Sequence, residues 1–376
     1  MLIIHTADVH LDSKLNRYFD STKAAERRNE IIRNFQRMVE YGAEKGVRGI
    51  IIAGDLFDVR NISAMARDAV YSSINNNSDI EFYYLAGNHD ADAFIRQITD
   101  KYGDIPENLH LFSDTWTSYE LACPQTGVSV VITGAELNDR NNKKLVDSLL
   151  LDRNRINIVT LHGQEVETAG KKDAEVIPLR EYRDRGIDYL ALGHIHEPKY
   201  EKLDARGYYS YAGCPEGRGF DEVGSRGFNL LDVSEKGIER TFVPFASRII
   251  YDVSVDVSEA VTSDDAIKLI RDALMDAGVT DRDMVKVRLA GNISLDALLD
   301  TGFIAGSLMD DYYFVKVVDE TKPFIDYEEF AADKSLKGEY VRLVKAMAEA
   351  GEIDADEAEE CIAMGVRILM GEEKLV

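Results

Sequence analysis

The chain has 376 residues, with 44 basic and 68 acidic side chains and a formal net charge of −24. That length suits two or three domains with a sizeable core, and 45% apolar with 30% charged residues is the composition of a globular protein rather than a disordered or fibrous one. No apolar run reaches the ~18 residues of a membrane span, and the strong acidity argues against a protein that coats nucleic acid by general electrostatics. The opening Met1-Leu2-Ile3-Ile4-His5-Thr6-Ala7-Asp8 turns polar too early for an export signal, which needs an apolar core of about 7–15 residues. Cys123, Cys214 and Cys361 are widely spaced and form no CxxC pair, so neither a disulfide framework nor a cysteine-zinc site is signalled. The expected location is a reducing cytoplasm.

In chain order, Leu2–Thr6 reads as a buried strand. Ile31, Ile32, Phe35, Met38 and Val39 then recur at helical spacing and predict a helix over Thr22–Lys45, stopped by Gly46. Val47–Ala53 reads as strand, Ser63–Ile74 as helix and Ile80–Ala86 as strand. Trp116–Ala122 and Val128–Gly134 form a hairpin pattern around Pro124-Gln125-Thr126-Gly127. Ile156–Leu161 and Ile187–Leu192 read as further strands, and two more hairpins pair Lys199–Asp204 with Gly207–Ala212 and Gly227–Val233 with Gly237–Val243. The charge changes after that point: residues 1–250 carry a net −8 and residues 251–376 a net −16. We place a boundary near Ser247. Beyond it the pattern is strand Ile249–Val257, helix Asp264–Ala277, strand Met284–Leu289, helix Leu295–Asp300 and strand Tyr312–Val318, a small α+β domain. From about Phe330 the pattern is purely helical, with Leu336, Tyr340, Leu343, Val344 and Met347 on one face. Asp354 with Glu357 makes a capping-box-like start for a second helix, which is apolar nearly all round. The expected domains are 1–246, 247–329 and 330–376.

Five of the seven histidines lie in short polar clusters, each following an apolar run: Asp8-Val9-His10, Gly54-Asp55-Leu56-Phe57-Asp58, Gly87-Asn88-His89-Asp90, His162-Gly163 and Gly193-His194-Ile195-His196. A strand that ends in a turn presents its first polar side chains at the sheet rim, and D-x-H or H-x-H alternation sends both to one side. Carboxylate, imidazole and amide oxygen together suit a borderline divalent metal such as manganese, iron or zinc. Asp8, His10, Asp55, Asn88, His162, His194 and His196 are too many ligands for one tetrahedral ion and are about right for two metals sharing a carboxylate. Such a pair polarises a phosphoryl oxygen and activates a hydroxide for in-line attack. His89 is then the spare imidazole that protonates the leaving alkoxide, oriented by Asp90. Asp58 reads as a supporting or turn-stabilising carboxylate. Arg60 and Arg218, close to motif loops, are candidates for phosphate contact.

The ordered set DVH, GDLFD, GNHD, H and GHIH resembles the calcineurin-like metallophosphoesterase superfamily. The resemblance implies a four-layer α/β fold: a two-sheet β-sandwich flanked by helices, followed here by a small α+β capping domain and a C-terminal helical pair. It also implies one metal held by Asp8, His10, Asp55 and His196 and a second held by Asp55, Asn88, His162 and His194, with Asp55 bridging and His89 catalytic. The opening I-I-H-T-A-D-V-H-L-D, the stretch G-D-L-F-D-V-R and Tyr211–Phe220 further resemble SbcD-type nuclease subunits of double-strand break repair, with Cys214 standing where serine is expected. That narrower resemblance implies a manganese-dependent DNA nuclease that works as a homodimer with an SbcC-like SMC-type ATPase, docked through the C-terminal helices. Iron, zinc or magnesium are alternative metals. The motifs equally suit a phosphodiesterase or phosphatase acting on a nucleotide or other small phosphoester. A non-catalytic adaptor for an ATPase is the reading from a different class.

Overall fold

A computed structural model of the chain describes residues 1–58, 62–87, 93–124, 126–138, 141–168, 176–294, 297–324 and 333–369. They divide into two units, Met1–Ile250 and Tyr251–Val376. In the first unit the strands are β1 (Leu2–Thr6), β2 (Gly49–Ala53), β3 (Glu81–Leu85), β4 (Leu109–Leu111), β5 (Thr117–Ala122), β6 (Ser129–Gly134) and β7 (Ile156–His162). They continue with β8 (Gln164–Val166), β9 (Val176–Pro178), β10 (Tyr189–Gly193), β11 (Lys199–Lys202), β12 (Tyr208–Tyr211), β13 (Gly227–Ser234) and β14 (Gly237–Pro244). The helices are α1 (Ser21–Lys45), α2 (Ala64–Asn75), α3 (Ala93–Tyr102), α4 (Asn142–Ser148) and the single turn α5 (Leu179–Tyr182).

Among the described residues twelve of these strands form two six-stranded mixed sheets, ordered β14-β13-β1-β2-β3-β4 and β11-β12-β10-β7-β6-β5, and β8 pairs with β9. Side-chain alternation explains the layers. Ile3, Ile51 and Tyr83 of the first sheet face Ile132, Ile158 and Tyr189 of the second in one buried cluster. On the other face of the first sheet, Ile4 and Ile50 meet α1 where Gly42 lets the helix approach. On the outside of the second sheet, Val159, Leu161, Leu190 and Leu192 are covered by Val146 of α4, by Leu149 just after it, and by Leu179 and Tyr182 of α5. The result is a four-layer α/β sandwich. Helix α1 starts where Asp20 accepts from the backbone N–H of Thr22 and Lys23 at 2.8 and 2.9 Å, and stops at Gly46, whose φ of 69° is cheap only for glycine.

Strands β1 and β2 are parallel neighbours in the first sheet, and β7 and β10 are parallel neighbours in the second. Each pair therefore ends at a common rim. Beneath that rim the sheets touch through Ala7, Ala53 and Ala212, all fully buried. Deeper between the sheets lies a polar group: His5 Nδ1 is 2.9 Å from the Tyr189 hydroxyl, and Asn229 donates to Tyr189 and Ser210 while accepting from Arg240 Nε at 2.7 Å.

The second unit has β15 (Ile250–Asp256), α6 (Ser263–Asp276), β16 (Met284–Ala290), β17 (Asn292–Ser294), α7 (Thr301–Leu308), β18 (Phe314–Asp319) and β19 (Lys322–Phe324). Strands β15, β16 and β18 form a three-stranded sheet. Val285, Val287 and Leu289 pack with Ile267 and Ile270 of α6 and Ile304 and Leu308 of α7. Of the expected helix over Leu295–Asp300, residues 297–300 are not helical, and Leu295 and Asp296 lie outside the described residues. The helix runs Thr301–Leu308, and Asp300 is its N-cap, accepting from Gly302 N and Phe303 N at 2.8 and 3.0 Å. The carboxylate satisfies amide groups that the first turn leaves free, so Asp300 begins the helix rather than ending it. Helices α8 (Leu336–Glu349) and α9 (Ala355–Leu369) pack through Val341, Val344, Ala358, Ile362 and Val366. Asp354 accepts from Glu357 N at 2.7 Å, the cap read from the sequence. No helix among the described residues is long and apolar enough to cross a membrane.

Two measurements probe this architecture. Asp300→Ala should lower the stability of the second unit by about 1 kcal/mol in urea unfolding, and an unchanged midpoint would contradict the cap. Burial pushes His5 down to about 3 from 6.5. The ring is then neutral when folded and takes a proton on unfolding, so stability should fall as pH drops from about 6.5 towards 4. His5→Asn should flatten that slope in pH-dependent urea titrations, and an unaltered slope would rule the assignment out.

Candidate metal centre

The turns that follow the strands are left-handed at non-glycine residues. Asp8, His10 and Asp55 have φ of 52°, 49° and 52°, and His194 has 103°. Each such residue costs on the order of 1–3 kcal/mol, and such strain concentrates at functional sites where surrounding structure over-determines it. Here the loops after β1 and β2 hold one another: Asp8 N donates to Gly54 O, His10 N to Asp55 O and Leu11 N to Leu56 O, at 2.9–3.1 Å. From the other sheet, His194 N donates to both oxygens of Asp8 at 2.9 and 3.1 Å.

Two groups of side-chain donors result. The ligating atoms of Asp8, His10 and His196 lie within 4.8 Å of one another, as do those of Asp8, Asp55 and His162. Asp8 belongs to both groups. Asp55 Oδ2 lies between them, 3.7 Å from His10 Nε2 and 3.4 Å from His162 Nε2. The His194 ring stands edge-on to that of His162, with centroids 5.4 Å apart, outside both close groups.

Each of the three clustered imidazoles has its Nδ1 against an oxygen acceptor. His162 Nδ1 is 2.9 Å from the Ala53 carbonyl, His196 Nδ1 is 2.7 Å from Glu222 Oε1, and His10 Nδ1 is 3.3 Å from Asp58 Oδ1. The carbonyl and the carboxylates only accept and favour a hydrogen on Nδ1, while at His196 the Arg218 Nη2 donor also stands 3.1 Å from the same nitrogen. The Nε2 atoms of His10 and His196 face each other at 3.1 Å. With the hydrogens on Nδ1 this contact would set lone pair against lone pair, which a cation held by both rings would relieve, the pattern of metal-bound histidines steadied from behind by oxygen. The carboxylates agree. Burial pushes the Asp8 carboxyl up, against the pull of the surrounding histidines, so a cation is what would hold it ionised. Burial opposes a charge on His162 as well, yet Asp55 outweighs it and raises His162 to about 9. A positive charge is wanted at that point. The donor set of imidazole and carboxylate fits a borderline divalent metal.

The motif glycines leave room for this packing. A Cβ on Gly54 would fall 2.1 Å from His162 Nδ1, and one on Gly193 would fall 1.9 Å from the Ala53 carbonyl. Asp58 accepts from Ser13 Oγ at 2.6 Å and faces His10; although burial opposes its charge, these partners hold it down to about 2. It supports a histidine rather than facing the centre itself. Arg218 lies behind His196: its guanidinium binds Glu222 at 2.7 Å and stands 4.0 Å from Asp58. Asn88, His89, Asp90 and Arg60 lie outside the described residues. Sequence reasoning missed Glu222, which is buried beside His196. Burial opposes its ionisation, but His196 and Arg218 hold its carboxyl well below the usual range. Its only signal in the sequence is a Glu four residues after Arg218 in a glycine-rich stretch, a common surface pattern.

Residues 1–198 match the calcineurin-like phosphoesterase family. Over 283 residues the chain is 24% identical to the uncharacterized metallophosphoesterase YhaO of Bacillus subtilis, covering 72% of this chain and 67% of that protein. Over 267 residues it is 26% identical to the DNA double-strand break repair protein Mre11 of Methanosarcina acetivorans, covering 68% of this chain and 41% of that protein. Over 284 residues it is 25% identical to a subunit of the SbcCD nuclease of Bacillus subtilis, covering 64% of this chain and 68% of that protein. The family match spans more than half of the chain and includes both strand pairs whose ends meet at the centre, and this chain belongs to the calcineurin-like phosphoesterases.

Proposed function

We propose that this chain is a metal-dependent DNA nuclease subunit that hydrolyses phosphodiester bonds at DNA ends. The observation that carries the reading is the pair of buried Asp/His groups sharing Asp8 at the common strand rim. The names of the relatives, a double-strand break repair protein and a nuclease subunit, support DNA as the substrate. Asp8, His10, Asp55 and His196 would hold one divalent cation, and Asp55, Asn88, His162 and His194 would hold another, with manganese the metal expected. When bound, the cations polarise a phosphoryl oxygen and neutralise charge that develops on it. The protein's part is positional. Oxygen acceptors behind three imidazoles fix their tautomers, and the His194 amide holds Asp8 in place. His89, oriented by Asp90, protonates the leaving alkoxide. Arg60 and Arg218 contribute positive charge for the phosphate backbone.

The second unit extends this reading. Residues 247–329 act as a capping domain that helps to position DNA, and residues 330–376 dock an SMC-type ATPase of the SbcC kind, with the chain working as a homodimer. Supporting the docking role, α8 and α9 bury one face against each other yet leave Leu343 60% and Met364 55% exposed. An apolar surface on both members of a helical pair suits a partner.

Manganese-dependent release of nucleotides from a duplex end should be lost in Asp55→Ala and reduced about 10²–10⁴-fold in His89→Ala. Cleavage unchanged in His89→Ala would remove that residue from the mechanism. Turnover of small diesters by a chain that cuts no DNA would replace the substrate. The acidity leads to a separate expectation: the isolated chain should bind duplex weakly without metal and lose that binding steeply as salt rises. Tight, metal-independent binding measured by fluorescence anisotropy would contradict the need for cations and partners.

A further inference from the structure

His196 differs from the other clustered histidines in how it is held. His162 ends a central strand, whereas His196 sits on a loop, and the chain that steadies it comes from the segment 214–226. Its backbone carbonyl accepts from Cys214 N at 3.1 Å and from Arg226 at 2.5 Å. Its Nδ1 meets Glu222, which is 3% exposed. Glu222 is itself fully engaged. It accepts from the Arg218 backbone N at 2.6 Å and from the Arg218 guanidinium at 2.7 Å, and its own N–H donates to Gly219 O at 2.9 Å.

The start of the same loop is pinned by a second buried glutamate. Glu216 accepts from Arg27 at 2.9 Å and Asn34 at 3.0 Å, both on α1, and from Ser247 N at 2.6 Å. Arg27 also donates to Gly217 O at 2.6 Å. The position of Glu222 is thus set by the protein alone. A carboxylate here does two things that a carbonyl or a water cannot do together. It accepts only, and at 2.7 Å, against 3.1 Å for the Arg218 Nη2 donor beside the same nitrogen, it favours the hydrogen on Nδ1 and leaves the Nε2 lone pair towards Asp8 and His10. Its negative charge also raises the donor strength of the ring, moderated by Arg218.

We propose that Glu222 is the positioning residue of the Asp8–His10–His196 group: by fixing the tautomer and donor strength of His196 it sets how tightly that group holds a divalent cation. The proposal rests on the reading of that group as a metal site, and its test separates the two. Mn²⁺ binding to the full chain is measured by titration calorimetry, alongside thermal unfolding with and without the metal. Glu222→Gln keeps the shape but offers an amide that can turn either its N–H or its oxygen to Nδ1. It should weaken Mn²⁺ binding at this group about 10–100-fold, and the rise in melting temperature on adding Mn²⁺ should shrink accordingly. Glu222→Asp keeps the charge but withdraws it by one methylene, and should weaken binding less.

A purely structural role would lower the melting temperature of the metal-free protein while leaving the Mn²⁺ affinity of the folded variant unchanged. Unchanged affinity in Glu222→Gln, or in Glu222→Asp should the first variant not fold, overturns the proposal while wild-type binding keeps the metal reading intact. A wild-type chain that takes up no Mn²⁺, Zn²⁺ or Fe²⁺ overturns the metal reading itself, and the proposal with it.

Discussion

Two imidazole nitrogens facing each other at 3.1 Å are the point on which the first unit converges. One belongs to the loop after β1 and the other to the loop after β10, so the two sheets must meet at their rims for the contact to exist. The alanines beneath the rim permit that approach, because larger side chains at Ala7, Ala53 and Ala212 would hold the sheets apart. The left-handed turns at Asp8, His10 and Asp55 follow from the same requirement. Their backbone strain is offset by hydrogen bonds between loops of adjacent parallel strands.

The acidity of the chain takes on a different meaning against this geometry. The second unit holds most of the excess negative charge and none of the clustered imidazoles. In the first unit the buried carboxylates face one another at the centre, where their mutual repulsion and the cost of burial together create demand for positive charge. Raised values for Asp8 and His162 express that demand from opposite sides, one carboxyl reluctant to ionise and one imidazole reluctant to lose its proton. An acidic chain and a centre that calls for cations are compatible features of one metal-dependent phosphoesterase.

Much of the fold was legible along the chain. The hairpin around residues 123–128 and the hairpins joining β11 to β12 and β13 to β14 pair as their alternation and turn residues predict. The long first helix lies within a residue of its expected start and ends at Lys45, where Gly46 signals the stop. The misplaced helix near residue 300 shows the limit of periodicity: over six residues an apolar pattern cannot tell a helix from the loop before it, and the cap decided the matter. The short helix α4 and strand β4 were also missed, since each is too brief to set up a period.

For the candidate site, the sequence by itself determined the chemistry on offer: five polar clusters rich in aspartate and histidine, each following an apolar strand, with glycines before several of them. Local pattern suffices for that, because a strand must end in a turn and the turn must be polar. Which donors meet was decided only by the tertiary structure. Asp8 and His196 are brought within reach of each other by sheet pairing and by the packing of one sheet on the other, neither of which is encoded in any short segment. Glu222 is the clearest case. In sequence it is one acidic residue among 68, and only burial against His196, beside Arg218, separates it from the carboxylates that simply face water.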